Sequence, residues 1–97
     1  MKIKQIQEVV AEWYNISVSE MSSGRSSKVV SRPRQVAMYL SRELTGQSLP
    51  AIGLMFNRTH TTVMYAIAAI EKRKQHDVKL NMALEWLRTR LNIEDAA

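Results

Sequence analysis

The stretch Ser48–Ile70, SLPAIGLMFNRTHTTVMYAIAAI, constrains this chain more than any other. It divides into two short helical patterns with a tight turn between them. Ser48 is suited to cap the first helix, and Pro50 fits its opening turn, where N–H groups have no intrahelical partner. Ala51, Ile52, Met55 and Phe56 then recur at helical spacing. Asn57 and Arg58 interrupt the pattern, and Thr59 is placed to cap a second helix. In that helix Val63, Ala66, Ile67 and Ile70 fall on one stripe. The residues left at its tip are Arg58, Thr59, His60, Thr61 and Thr62, none of which a core requires. A helix that buries its body and keeps hydrogen-bonding groups at its first turn matches the recognition helix of a helix-turn-helix. The hairpin as a whole is expected over residues 48–75. A plain helical hairpin with capping threonines is the other reading of these residues.

Charge separates the two readings. Between Met21 and Thr62 stand Arg25, Lys28, Arg32, Arg34, Arg42 and Arg58, against Glu43 alone. The rest of the chain carries eight basic and eight acidic groups, so the whole net charge of +5 lies in the segment that holds the recognition tip. This is the electrostatic footprint of a polyanion site, and arginine suits phosphate in particular.

Elsewhere the pattern is helical throughout. Ile3, Ile6, Val9, Val10 and Trp13 predict a first helix ending near Tyr14 and Asn15, with this stripe in the core. Ser17 and Ser19 can open a short turn that tucks Val18 and Met21 inward. The run Ser22–Lys28 is small, polar and basic, the composition of a loop that can enter a minor groove. A long helix follows from Val29 or Ser31 to Thr45, with Val30, Val36, Ala37, Leu40 and Leu44 inward and Gly46 as its stop. Pro33 requires that the helix begin close before it. Arg34, Gln35 and Arg42 are expected on an exposed flank that follows a phosphate strand. Glu71–Gln75 reads as a solvated helix end. Leu80, Leu84, Leu87 and Leu91 mark a last helix, with Trp86 off its stripe and Ile93–Ala97 as a tail. The expectation is a single all-α domain over residues 1–97, five to six helices containing a helix-turn-helix.

Several chemistries lack their residues. There is no cysteine, and His60 and His76 have no ligand partners at metal spacing, so neither a disulfide nor a metal centre is expected. No GxxxxGK loop is present to hold a nucleotide phosphate. Glu8 and Glu12 lie one turn apart on an exposed face, where a catalytic pair would need burial. The six methionines are scattered as core filler. No apolar run has membrane-spanning length and no signal-peptide pattern opens the chain. The chain is expected to be no enzyme, to carry no cofactor, and to act in the cytoplasm at the nucleoid.

Longer motifs carry a resemblance. The chain resembles the carboxy-terminal DNA-binding domain of DnaA, the bacterial chromosomal replication initiator. The likeness begins at Ile3, Ile6, Val9 and Val10 and continues through Arg32-Pro33-Arg34-Gln35-Val36-Ala37 and Arg42-Glu43-Leu44-Thr45. It then covers Ser48-Leu49-Pro50-Ala51-Ile52-Gly53 and Arg58-Thr59-His60-Thr61-Thr62-Val63. The resemblance implies double-stranded DNA binding at DnaA-box-like sites, in replication initiation or its regulation. It implies base reading by Thr59, His60 and Thr61, with Thr62 supporting them near a phosphate. Phosphate contacts fall on Arg32, Arg34, Gln35, Arg42 and Arg58, and on the helix start at Ser48, Leu49 and Pro50. The minor-groove loop falls on Arg25, Ser26 and Lys28. Three departures stand out. The usual acidic residue before the histidine is Thr59, the turn before Arg58 is one residue short, and the minor-groove arginine aligns with Ser26, beside Arg25. The family's ATPase part has no counterpart in these residues. The competing reading is a protein-interaction module that keeps the fold and binds DnaA or another replication protein. The retained His60-Thr61-Thr62 and the localised charge favour DNA.

Overall fold

The computed structural model describes residues 1–96. Six helices follow one another: α1 Ile3–Tyr14, α2 Val18–Met21, α3 Lys28–Thr45, α4 Leu49–Met55, α5 His60–Arg73 and α6 Val78–Ala96. There is no strand among the described residues. None of these helices is long and apolar enough to cross a membrane.

Helix α3 is the axis of the molecule, packed by α1 on one side and α5 on another. Its centre, Val36 to Leu40, is buried at every position because helices cover it from several directions. The core adds Ile6 and Val10 from α1, Ile52 and Phe56 from the first half of the hairpin, and Val63 and Ile70 from the second. Helix α6 contributes Leu80, Leu84, Leu87 and Leu91, the four leucines of its predicted stripe.

Local chemistry sets the boundaries. Asn15 takes the left-handed conformation at φ 55°, and Ile16 N–H closes back on Ala11 O, which stops α1. Ser17 and Glu20 form a reciprocal capping box that makes the expected turn into the helix α2, with Met21 fully buried. Gly46 at φ 67° terminates α3. Asp77 accepts from Leu80 N–H at 3.0 Å and starts α6.

The structure corrects several expectations. Helix α3 begins at Lys28, one residue before Val29 and three before Ser31, so Pro33 lies inside the helix. Burial of Val30, Pro33 and Arg34 together holds this segment helical despite the lost N–H. Trp13 and Met55 are each 42% exposed and Leu44 is only partly buried, so the apolar stripes are narrower than their spacing suggests. The predicted solvated end of α5 is tied down: Tyr39 O–H donates to Glu71 at 2.9 Å and accepts from Lys74 Nζ at 2.9 Å. Residues 93–96 continue α6 instead of forming a tail, and Ala97 lies outside the described residues. Trp86, off the leucine stripe, is 40% exposed and packs on Trp13 of α1, with ring centroids 4.6 Å apart.

Candidate nucleic-acid interface

The hairpin is built from the turn outward. Asn57 adopts the left-handed conformation at φ 56° and reverses the chain in one residue. Arg58 N–H then donates to Gly53 O at 2.9 Å, locking the end of α4 to the start of α5. The two segments touch backbone to backbone at Gly53. A Cβ there would sit 2.5 Å from Arg58 O, a distance no side chain tolerates. Gln7, buried in α1, donates to Met55 O at 2.8 Å and fixes the far side of the hairpin to the core. The shortened turn is therefore a closed structure with one strained-sign residue and one obligatory glycine.

At the tip, Thr59 is the N-cap of α5, and its Oγ1 accepts from Thr62 N–H at 3.5 Å. The same oxygen lies 3.4 Å from Thr62 Oγ1. Thr59, His60 and Thr62 are exposed and Thr61 is half-buried. Leu54, Asn57, Arg58, Thr59 and Thr62 line a shallow cleft of about 400 Å³ beside this tip. Met64 and Tyr65, 47% and 66% exposed, extend the exposed face of α5 beyond the predicted residues. They follow His60 and Thr61 at one-turn spacing, and that spacing was the available signal. Their apolar character hid them among candidate core positions.

Two arginines converge on the loop before α3. Arg34 Nε donates to Met21 O at 2.6 Å, and its Nη2 donates to Ser23 O at 3.2 Å and Arg25 O at 2.9 Å. Arg58 Nη2 donates to the same Ser23 carbonyl, while Nη1 serves Phe56 O and Asn57 O. Neither guanidinium has a carboxylate partner among the described residues. Burial, and then the neighbouring Arg58 charge, pull the Arg34 guanidinium below its ordinary pKa. Arg34 is 6% exposed, so its placement on an open flank is corrected: this side chain fastens the loop to α3, and Arg58 ties the same loop to the recognition turn. The reason is geometric, since its position on α3 faces the carbonyls at the end of α2.

The fastened loop carries Arg25, exposed and 3.6 Å from Glu20, together with exposed Ser26 and Lys28. Gln35 is half-buried and lies with Ser31, Thr62 and Tyr65 around a shallow hollow. Exposed Arg42 donates to Gln47 O at 2.6 Å, just before the Ser48 cap. Ser48 Oγ accepts from Ala51 N–H at 3.2 Å, and Pro50 has no N–H, so Leu49 N–H is the donor this helix start has to offer. Arg32 does not join these groups. It lines a separate groove with Trp13, Arg73 and Trp86 at the far end of α5.

The comparisons agree with this geometry. Residues 3–70 match the family described as bacterial DnaA protein helix-turn-helix. The chain is 45% identical over 93 residues to the chromosomal replication initiator protein DnaA of Rhizobium meliloti (strain 1021), covering 95% of this chain and 19% of that protein. It is 47% identical over 90 residues to the corresponding DnaA of Gluconobacter oxydans (strain 621H), covering 92% of this chain and 19% of that one. A solved structure described as a crystal structure of DNA replication initiation factor superposes with a TM-score of 0.81 at 34% identity, over 91% of this chain and 27% of that one. The chain thus spans about a fifth of the length of these DnaA relatives. By sequence and by fold, it belongs to the bacterial DnaA helix-turn-helix family.

Proposed function

We propose that this chain binds double-stranded DNA sequence-specifically, at DnaA-box-like sites, in replication initiation or its regulation. The observation that carries the reading is the tip of α5. His60 and its neighbouring threonines stand exposed beside Arg58, against a loop that carries unburied Arg25 and Lys28. In this arrangement α5 enters the major groove, with His60 and Thr61 reading base edges and Thr62 near a phosphate. Thr59 serves first as the cap, and its methyl and hydroxyl face the outermost base pair. Arg25 reaches the adjacent minor groove, with Ser26 and Lys28 beside it. Phosphates are met by Arg42, Gln35, Arg58 and Leu49 N–H, while Arg34 holds the loop that presents Arg25. The resident chemistry is binding alone, without ATP hydrolysis.

The test is selection from a pool of random duplexes, followed by sequencing of the bound fraction. Enrichment of a DnaA-box-like motif is the expected result. Retention of duplexes without any enriched motif would show a non-specific DNA binder, and no retention at low salt would remove the DNA reading altogether.

A further inference from the structure

The end of α5 opposite the recognition tip opens on a groove of about 580 Å³ between α1, the α5–α6 turn and α6. Trp13 and Trp86 form one wall, 42% and 40% exposed, and Met82 on the rim is 64% exposed. These are costly groups to leave in water. The groove also carries a net positive charge. Arg32, Arg73 and Lys79 line it, against the single carboxylate of Asp77, which lies 3.5 Å from Arg73. Arg32 and Lys79 make no ion pair among the described residues. Arg73 is paired with Asp77 and its Nη1 is buried, so the cations that a ligand can reach are Arg32 and Lys79.

We infer that this groove docks an acidic peptide segment of a partner protein, which lays an apolar or aromatic side chain against the paired indoles and sets its carboxylates on exposed Arg32 and Lys79. Each part of the occupant answers a feature of the groove. The indoles and Met82 call for an apolar anchor, and unpaired Arg32 and Lys79 call for carboxylates on a net negative segment. A nucleic-acid duplex meets the charge but keeps its bases stacked within the helix, with nothing to cover the indoles. A second copy of this chain brings its own cationic rim into a two-fold contact, like charge on like. The groove lies about 20 Å along α5 from the recognition tip, the length of the helix, so the two surfaces share no residue and can be occupied together.

Trp13 and Trp86 are the only tryptophans in the chain, so intrinsic fluorescence reports this groove directly. The probe is an acetylated peptide of about ten residues, with a central Phe-Leu pair flanked by aspartates and glutamates. The expected result is a saturable change in indole emission. Replacing the peptide's acids by lysine, or its apolar pair by serine, should abolish it. Lys79→Glu should weaken binding severalfold. Arg32→Glu and Met82→Glu, both at exposed positions that leave the core intact, should do the same, while His60→Ala should have no effect. Absence of a saturable change would overturn the inference. A response to phosphatidylglycerol vesicles but not to the peptide would replace the peptide by an anionic membrane surface. Emission that varied with protein concentration alone, with a dimer by sedimentation, would make the groove a contact between copies.

Discussion

Gly53 and Arg34 each hold the site in place without facing a ligand, and single substitutions separate that role from contact. Gly53→Ala drives a methyl into Arg58 O and should destabilise the domain by roughly 1–3 kcal/mol in urea unfolding. Gly24→Ala, with nothing within 4 Å of the added carbon, should be close to neutral. Arg34→Ala leaves the carbonyls of Met21 and Arg25 without their donor and should cost roughly 1–3 kcal/mol of stability. It should also weaken duplex binding, because the loop carrying Arg25 is released. A pure phosphate contact would behave oppositely, with an unchanged melting temperature and a flatter salt dependence. His60→Ala should lower discrimination between selected and random duplexes by roughly 1–3 kcal/mol, with helical content intact by circular dichroism. Thr59 is a weak cap, since its bond to Thr62 N–H is long at 3.5 Å. Thr59→Asp places an acceptor and a negative charge at the start of α5. It should raise stability by about 0.3–1 kcal/mol and add a cytosine preference at one base pair. Selection experiments on the two proteins, run side by side, check the second half of that statement.

At the scale of elements, acid sensitivity should come from helix starts. The Asp77 carboxylate accepts from Leu80 N–H and lies beside Arg73, and Glu20 accepts from Ser17 in the capping box of α2. Backbone hydrogen bonding first, and the neighbouring arginine to a lesser degree, hold both carboxyls below their ordinary values. A carboxyl whose folded pKa is depressed stabilises the fold above its unfolded value and loses that contribution as pH falls through the folded one. Thermal stability should therefore be level near neutrality and decline below about pH 4. Asp77→Ala should lower the melting temperature at pH 7 and flatten the decline. An acid limb equally steep in that variant would place the sensitivity elsewhere.

Taken whole, the molecule sorts its arginines by face, and salt titration reads the sorting. Arg25, Lys28, Arg42 and Arg58 stand on the proposed DNA side. About four displaced counterions give a log–log salt slope of roughly −3 to −4. Arg42→Ala should reduce that slope by about one, whereas Arg32→Ala, on the tryptophan groove, should leave it unchanged. An affinity indifferent to salt would remove the polyanion reading of the +5 charge.

Periodicity alone carried the all-α class, the hairpin and most helix boundaries, because a 3.6-residue stripe bounded by Ser48, Thr59 and Gly46 leaves few other structures open. The tip residues were legible for the same reason: Thr59, His60, Thr61 and Thr62 had no place on any stripe. Which arginine faces which partner was not legible. Arg32, Arg34 and Arg42 share a residue type and a helix, yet one lines a groove with tryptophans, one is swallowed by the carbonyls after α2, and one stays on the surface. Helical spacing assigns a direction around an axis, but what waits in that direction is set by segments distant in sequence. Met21 O and Ser23 O become partners of Arg34 only when α2 packs against α3, and Trp13 meets Trp86 across 73 positions of chain only when α6 folds back on α1. Contacts of that range depend on packing, and local sequence does not encode packing.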